Sequence, residues 1–405
     1  AHGLPLELKG MQLVKAWKER LNQKFQPLPP EYIPKGTVEE NILMGSDIDL
    51  NKFPIPKWNS EDGGRYIGTG DVVILKDKDT GWVNLGTYRV QAQDKDSVSI
   101  HIVDGHHGDR IRKSYWDKGE NCPVAVICGQ DPLLYSLASN PLCPEGISDY
   151  DFVGWLQQYP VEVIKGKTVD LPIPAHAEIV LEGEMLPPGS ETRIEGPFGE
   201  WEGYFAGSAK PEPIVKINCI MHRNQPILVG APPIVATYDL SDCRNLSQAA
   251  GMWKELEDRL PGIRGVFCPN EMRSLIMTVV SIKQLYPGHV KQVAMAVAGS
   301  AMSSLNRYIV IVDDDIDPSN MSEVLWAIAT RSDPAESIDK IDGFCGMRSD
   351  PRLSPEKKEK GELYYSKAII DACRPYTWMH RYPKTIKSDP SILQEIMKKW
   401  GSKLF

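Results

Sequence analysis

The stretch that most constrains the fold is residues 194–204, which carries three carboxylates within eight residues, among three glycines and a proline. Gly196 and Pro197 are strong turn signals, so a regular helix does not run from Glu195 to Glu200. A bend there would bring these two carboxylates together, and two carboxylates held close cannot both ionise freely. The sequence therefore predicts a bend that can keep one acid protonated at neutral pH.

An acidic bend can also be a plain solvated turn, and in most chains it is one. In this stretch the charges alternate with the aromatic residues Phe198, Trp201 and Tyr204. A loop that faces only water rarely carries three aromatic side chains. The pattern favours a functional site with an apolar setting.

The overall composition excludes several classes of function. The 405 residues suffice for two or three domains, and the net charge of −8 comes with no basic block. Nucleic-acid binding is therefore disfavoured. Since no apolar run approaches the ~18 residues of a membrane span and no secretory signal opens the chain, we expect a cytoplasmic protein without membrane attachment. The eight cysteines form no Cys-x-x-Cys pair, which indicates reduced thiols.

Periodicity divides the chain into five segments, which we take as the predicted domains. They are an N-terminal arm or partial α/β segment (1–61), a mixed β domain (62–242), a linker helix (243–262), an α/β domain (263–380) and a tail helix (381–405). Within them the pattern predicts strands at 71–75, 82–90, 97–103, 124–128, 177–182, 214–220, 274–280 and 308–313. It predicts helices at 11–21, 131–137, 149–157, 247–260, 289–305 and 322–331.

The last predicted helix begins at Asp389-Pro390, with an N-cap residue followed by a first-turn proline. An apolar stripe at the end of a chain needs a surface to cover it, and a second protomer is one candidate. We therefore expect a homo-oligomer, either a dimer or a hexamer. The stripe consists of Ile392, Leu393, Ile396, Met397 and Trp400.

Two polar clusters have a structural as well as a functional interpretation. Residues 313–315, Asp-Asp-Asp, resemble a metal cluster, but their place between a buried strand and a helix favours a polar loop with a cap. His106 and His107 follow a predicted strand, and adjacent residues of an extended chain point to opposite sides. At most one of the two histidines is then a ligand.

The stretch Asn84-Leu-Gly-Thr-Tyr-Arg89 combines several groups suited to a cofactor site. Asparagine, histidine and a carboxylate together suit Mg²⁺ or Mn²⁺ better than a structural Zn²⁺. Gly86 allows the backbone to approach a flat ligand or a phosphate closely. Arg89 can hold a carboxylate through two parallel hydrogen bonds.

Four motifs in order resemble the UbiD family of reversible decarboxylases, which use prenylated FMN. They are residues 84–89, Gly-Ile-Ser-Asp-Tyr at 146–150, Pro-Ile-Pro-Ala-His-Ala-Glu-Ile-Val-Leu-Glu-Gly at 172–183, and Glu-Gly-Pro-Phe-Gly-Glu at 195–200. The resemblance implies an α+β fold: a mixed β, split-barrel-like flavin-binding domain followed by a C-terminal α/β domain. It also implies a carboxy-lyase supplied with its cofactor by a flavin prenyltransferase.

The family's site residues carry over onto matching positions. Asn84, His107 and Asp149 resemble the ligands of Mn²⁺ or Mg²⁺ at the cofactor phosphate, although the family usually has a glutamate where Asp149 stands. The implied catalytic residues are Arg89, to orient the substrate carboxylate, Glu200, to donate the proton, and Glu195, to hold Arg89. The further implied cofactor contacts are Thr87, Tyr88, Arg89 and Ser139, with K⁺ as a second ion. A phosphate-binding lysine of some members has no equivalent, and Met302 stands near its place.

The expected reaction is reversible, non-oxidative decarboxylation of an aromatic or α,β-unsaturated acid. Three alternatives stay open at this point. Since the reaction is reversible, the net direction could be carboxylation of an activated aromatic. The chain could be a non-catalytic flavin-binding subunit of a larger carboxylase. Without the resemblance, a metal hydrolase would be the rival interpretation.

Overall fold

The structure, a computed structural model, describes residues 3–234, 240–272, 276–386 and 390–404. The helices are α1 (Gly10–Leu21), α2 (His107–Trp116), α3 (Pro132–Ala138), α4 (Asp149–Gln157), α5 (Leu240–Glu257), α6 (His289–Gly299), α7 (Met321–Arg331), α8 (Pro355–Glu359) and α9 (Pro390–Leu404). The first nine strands are β1 (Glu31–Tyr32), β2 (Asn41–Met44), β3 (Arg65–Gly68), β4 (Val72–Lys76), β5 (Val83–Gly86), β6 (Val90–Asp94), β7 (Ser97–Ile100), β8 (Cys122–Cys128) and β9 (Glu162–Lys165). The others are β10 (Pro172–Pro174), β11 (Ile179–Met185), β12 (Thr192–Glu195), β13 (Lys210–His222), β14 (Ile263–Phe267), β15 (Met277–Ile282), β16 (Tyr308–Asp313), β17 (Ile338–Cys345) and β18 (Tyr364–Ala372).

The largest sheet has ten strands and curls into a half-barrel. Its strand order is β3-β6-β7-β13-β11-β8-β4-β5, and the long strand β13 also pairs with β2 and β12. Every ladder in it is antiparallel. A separate three-stranded sheet, β1-β9-β10, contains the parallel pair β1–β9. The predicted half-barrel β architecture is confirmed.

Strands β4 and β8 of this sheet are apolar on both faces because both faces are covered. Along β4, Val72 and Ile74 face a core shared with α3, α4 and α5, whereas Val73 and Leu75 face a core shared with α2. Successive side chains of a strand point to opposite faces, so an unbroken apolar run serves two cores at once. For this reason apolar and polar residues do not alternate along the sequence of these strands.

The second sheet has the order β14-β15-β16-β18-β17, with parallel pairs in its centre and antiparallel strands at both edges. Helix α7 covers one face and α6 the other. The core on the α6 side continues through α5 to the first sheet without a break. The structure is thus α+β, as expected, and α5 packs between the two sheets.

Three element predictions are wrong in their extent. The helix predicted at 247–260 is α5, which begins at Leu240 and ends at Glu257. The predicted strand 82–90 ends at Gly86, because the chain turns back there: a Cβ on Gly86 would lie 2.5 Å from the Tyr88 ring. The predicted helix 289–305 ends at Gly299. The hydroxyl of Ser300 accepts a hydrogen bond from the Met302 amide at 3.1 Å and begins a separate 3₁₀ turn.

The remaining predicted elements lie within a few residues of their expected bounds, and α4 begins and ends as predicted. Residues 274, 275 and 389 of the predictions lie outside the described residues. No helix in the described ranges has the length and hydropathy to cross a membrane. The seven cysteines whose side chains are described are free thiols. The division into domains and the oligomeric state stay predictions.

The N-terminal arm is more firmly packed than the sequence suggests. Helix α1 lies against α5 and β14, with Trp17 only 1% exposed. We expect Trp17→Ala to lower the free energy of unfolding by ~3–5 kcal/mol, because a large buried side chain is removed. Denaturant titration measures the loss. Leu6→Ala is the control, since Leu6 is 98% exposed and its removal should leave the midpoint unchanged. Equal midpoints for both variants would contradict the packing role of α1.

Candidate active site

Arg89 lies between two carboxylates and binds both. Its Nε and one terminal nitrogen donate to the two oxygens of Glu195 at 2.7 and 2.8 Å, and its other terminal nitrogen donates to Glu200 at 2.6 Å. The side chain of Glu195 is fully buried, and those of Arg89 and Glu200 are 12% and 14% exposed. The bend at residues 196–200 therefore does bring the two acids together, and the guanidinium offsets their mutual repulsion.

The fold delivers these three side chains from separate elements. Arg89 lies in the turn between β5 and β6, and Glu195 is the last residue of β12, opposite Lys210 of β13. A cis peptide bond joins Gly196 to Pro197, and the chain then returns to place Glu200 on the same guanidinium. The turn that ends β5 and the turn that follows β12 thus build one ion-pair network.

Two residues that the sequence reasoning missed hold Glu195 in place. The Tyr66 hydroxyl donates to Glu195 at 3.1 Å, and the Gln91 side-chain oxygen accepts from the Gly196 amide at 3.0 Å. Gln91 is 4% exposed and lies in β6, two residues after Arg89. No local sequence signal marks Tyr66 or Gln91, because each acts through a contact with a segment more than 100 residues away.

Charge and burial act together on this network. Burial raises the pKa of Tyr66, and the charge of Glu195 raises it further, so the hydroxyl remains a donor. Burial opposes the charge of Arg89, but its hydrogen bonds to Glu195 and the charge of Glu200 outweigh burial and raise the pKa of the guanidinium. Phe198 packs on Tyr66 with ring centroids 4.5 Å apart and lies 5.4 Å from the Arg89 guanidinium. Water is thereby kept from one side of the ion pairs.

The third carboxyl of the bend has different surroundings. Burial, followed by the charges of Glu200 and Asp350, raises the pKa of Glu202 to about 7, against the hydrogen bond from Ser349. The apolar setting is only partly as expected. Phe198 is buried, but Tyr204 is 59% exposed and faces solvent.

Asn84, His107 and Asp149 meet at a second polar centre. The Asn84 amide nitrogen donates to Asp149 at 3.3 Å and lies 3.4 Å from His107 Nδ1, while the Leu85 amide donates to Asp149 at 2.8 Å. Burial raises the pKa of Asp149 to about 7, and burial lowers the pKa of His107, which keeps the imidazole neutral. An amide, a neutral imidazole and a desolvated carboxyl are donors that fit a hard divalent cation.

The histidine pair does not lie on an extended chain, as the sequence reasoning assumed. His106 precedes α2 and His107 is its first residue, so the helical turn, not a strand, sets their directions. His107 is the one beside Asn84, and His106 lies near Tyr88, with ring centroids 6.5 Å apart. The Tyr88 hydroxyl accepts from the Gly108 amide at 3.2 Å.

Thr87 belongs to the same turn between β5 and β6 as Tyr88 and Arg89. Among the residues that the structure describes, no hydrogen bond joins Ser139 to this centre. Its hydroxyl donates to the Ser136 carbonyl at 3.0 Å, and its other hydrogen bonds also lie within residues 135–140.

Two other acidic groups resemble cation sites but already have cationic partners. His101, Glu195 and Glu212 have ligand atoms within 4.8 Å of one another, yet Arg89 binds Glu195 and Lys210 binds Glu212 at 2.8 Å. Asp313 is the last residue of β16, and Asp314 and Asp315 form a polar turn after it, as expected, but the N-cap of α7 is Asn320. Asp313 is 1% exposed and accepts from Arg331, Arg374 and Gln284.

Family models match the chain over both sheets. A model described as 3-octaprenyl-4-hydroxybenzoate carboxy-lyase Rift-related domain matches residues 32–234, and the C-terminal domain model of the same carboxy-lyase matches residues 243–372. The chain belongs to the UbiD family. It is thus a member of a family of carboxy-lyases, and the resemblance carried by the four motifs is confirmed.

Individual relatives agree with the family assignment. Pyrrole-2-carboxylic acid decarboxylase of Pseudomonas aeruginosa is 30% identical over 393 residues, which cover 91% of this chain and 77% of that protein. The UbiD-class enzyme HmfF from Pelotomaculum thermopropionicum, solved with FMN, is 27% identical with a TM-score of 0.83, over 97% of this chain and 83% of that one.

Vanillic acid decarboxylase of Sedimentibacter hydroxybenzoicus in its open form has a TM-score of 0.82 at 28% identity, over 99% of this chain and 83% of that one. The chain spans 63% to 79% of the length of the curated relatives it matches.

Glu195, the buried acid of the Arg89 network, should contribute strongly to the stability of the protein. We expect Glu195→Ala to lower the free energy of unfolding by ~3–5 kcal/mol, because it leaves the buried Arg89 guanidinium with Glu200 as its remaining carboxylate and removes one of the two acceptors of the Tyr66 hydroxyl. Denaturant titration measures this loss. The matched control is Glu191→Ala, immediately before β12, because its partners Arg193 and Lys216 lie at the surface. Unfolding midpoints that coincide for the two variants would refute the assignment.

Proposed function

We propose that this UbiD-family chain catalyses reversible, non-oxidative decarboxylation of an aromatic or α,β-unsaturated carboxylic acid with prenylated FMN and a divalent metal ion, Mn²⁺ or Mg²⁺. The observation that carries the proposal is Arg89 held between Glu195 and Glu200. This arrangement provides a cation for a substrate carboxylate beside an acid for the reacting carbon. The decarboxylases of aromatic acids among the relatives support the substrate class.

The residues present fit the cofactor and the metal. Asn84, His107 and Asp149 would hold the metal against the cofactor phosphate, with the backbone of Thr87 and Tyr88 beside the flavin. FMN and prenylated FMN in the HmfF structures support a flavin of this class. When bound, the prenylated flavin supplies the electron sink that the departing CO₂ requires. Ser139 and K⁺ stay predictions.

The chain's own residues bind the substrate and control a proton. Arg89 is held by Glu195 in a fixed direction, so it can pair with a carboxylate without first reorienting. Glu200 lies on the other side of the guanidinium and is partly exposed, so its carboxyl can reach the substrate carbon and exchange protons with solvent. In our proposal Glu200 protonates the carbon that CO₂ leaves, and the same acid removes that proton in the reverse direction.

Net carboxylation is the alternative within the same chemistry, since the direction depends on the concentrations of acid and CO₂. A non-catalytic subunit is disfavoured, because the Arg89 network is complete in this chain. A homo-oligomer remains part of the proposal. Helix α9 exposes Ile392, Ile396, Met397 and Trp400 at 44% to 56%, as expected for a surface that a second protomer covers.

The metal assignment predicts a joint loss of metal and flavin. We expect Asp149→Ala to purify with neither, because the carboxyl is the one anionic ligand of the proposed set. Metal analysis by mass spectrometry and the flavin absorbance spectrum measure both. Asp151→Ala on the same helix is the control and should keep both. Full occupancy in the Asp149→Ala protein would make the assignment wrong.

If Glu200 is the acid, its loss should lower turnover without lowering the binding of flavin and metal. Glu200→Gln can still accept from Arg89 but cannot deliver a proton, so we expect normal flavin and metal content with turnover lowered ~10²- to 10⁴-fold. Exchange of the substrate-carbon hydrogen with deuterated water should fall equally, as NMR can follow. If a fully loaded Glu200→Gln protein turned over at the wild-type rate, the acid would have to be Glu195 or Glu202.

A further inference from the structure

The segment that carries Glu200 is a loop between β12 and β13, and we call residues 199–207 the acid loop. Few bonds fix it to its own sheet. The Gly199 amide donates to Asp62 at 3.1 Å at its start. Two internal hydrogen bonds, from the amides of Glu200 and Gly203, then close the turn that contains Glu200 and Glu202.

Glu200 of the acid loop is also held by Arg89. Further contacts come from the segment between β17 and β18, which belongs to the second sheet. The Ser349 hydroxyl donates to Glu202 at 2.6 Å, and the Lys358 ammonium donates to the Ala206 carbonyl at 2.7 Å. Ser349 is 7% exposed and its neighbour Asp350 is 2% exposed, so this contact is a packed one. The second sheet thus holds the loop that bears the proposed acid.

We propose that Glu202 is a positioning residue, which joins the acid loop to Ser349 of the second sheet and so holds Glu200 against Arg89. The inference rests on the proposed function only in the role given to Glu200. In this proposal Glu202 acts through the loop: its carboxyl accepts from Ser349, whereas Arg89 donates to Glu195 and Glu200. Separation of the two sheets at this contact would free the loop, and Glu200 with it.

The charges around Glu202 make the contact dependent on pH. Two acids interact with the Glu202 carboxyl: Glu200 in the same loop and Asp350 in the second sheet. Two cations lie nearby, since Arg307 binds Asp350 at 2.6 Å and Lys358 binds the loop backbone. Burial and these two acids raise the pKa of Glu202 from 4.5 to about 7. Protonation therefore favours the closed contact, which weakens as the pH rises from 4.5 towards 7 and is weakest above 7.

Hydrogen–deuterium exchange of the acid-loop amides in the full-length protein, without substrate, tests whether the Glu202–Ser349 contact holds the loop. Ser349→Ala removes the donor, and we expect exchange about 2- to 12-fold faster than wild type at pH 6, the effect of one hydrogen bond. Glu202→Gln still accepts from Ser349 but cannot ionise. We expect the Glu202→Gln loop to stay protected at pH 8.5, whereas the wild-type loop should lose protection at that pH. Both exchange rates are corrected for the effect of pH on intrinsic exchange. The control is Ser366→Ala, whose hydroxyl donates to Asp342 within the second sheet, away from the loop.

Two results would overturn the proposal. One is acid-loop exchange in Ser349→Ala equal to that in Ser366→Ala at pH 6. The other is wild-type pH dependence of loop protection in Glu202→Gln. Because exchange is measured without turnover, it stands apart from the role of Glu200. If Glu200→Gln stayed active while Ser349→Ala loosened the loop, the role of Glu200 as the acid would be wrong, and the role of Glu202 in holding the loop would stand.

Discussion

The structure around the site depends on one interaction, the pairing of the Arg89 guanidinium with two carboxylates. A guanidinium this far from water requires buried partners, because an unpaired buried charge costs several kcal/mol. Glu195 satisfies two of its donors from a strand end and Glu200 satisfies a third from the loop beyond. The turn after β5, the end of β12 and the acid loop therefore have to meet. Arg89 thus sets the geometry of the site as well as its charge.

The arrangement persists because the framework around it is continuous. The core on one side of the half-barrel runs through α5 into the second sheet, so the two sheets share buried side chains. Polar groups then fix the orientation of individual side chains, which an apolar core does not determine. Tyr66 and Gln91 orient Glu195 and the Gly196 amide, and Leu85 orients Asp149. A non-directional core positions the elements, and directional hydrogen bonds position the reactive atoms.

Much of this could be predicted from sequence, because the bend, the metal-ligand types and most helices have local signals. The predictions that failed depend on packing and hydrogen bonds that the sequence pattern does not show. The strand that ends at Gly86 has an extended pattern to residue 90, and only the packing of the Tyr88 ring against that glycine reveals the turn. His106 and His107 were assigned to an extended chain because the start of α2 has no side-chain cap to mark it. The polar partners of Glu195 come from residues 66 and 91, whose role no local pattern encodes.

The acid loop shows how one short turn can give two glutamates different tasks. Glu200 and Glu202 are two residues apart, but Glu200 lies on Arg89 and Glu202 lies beneath Ser349. The Arg89 guanidinium donates to Glu200 at 2.6 Å, so in our proposal the cation lies beside the group that transfers the proton. Glu202 has no cation on its carboxyl, and its burial favours the neutral form. A neutral carboxyl can be covered by a second sheet at little cost, whereas an ionised one without a cation cannot. The difference in partners thus fits the roles that we propose, proton transfer for Glu200 and holding the loop for Glu202.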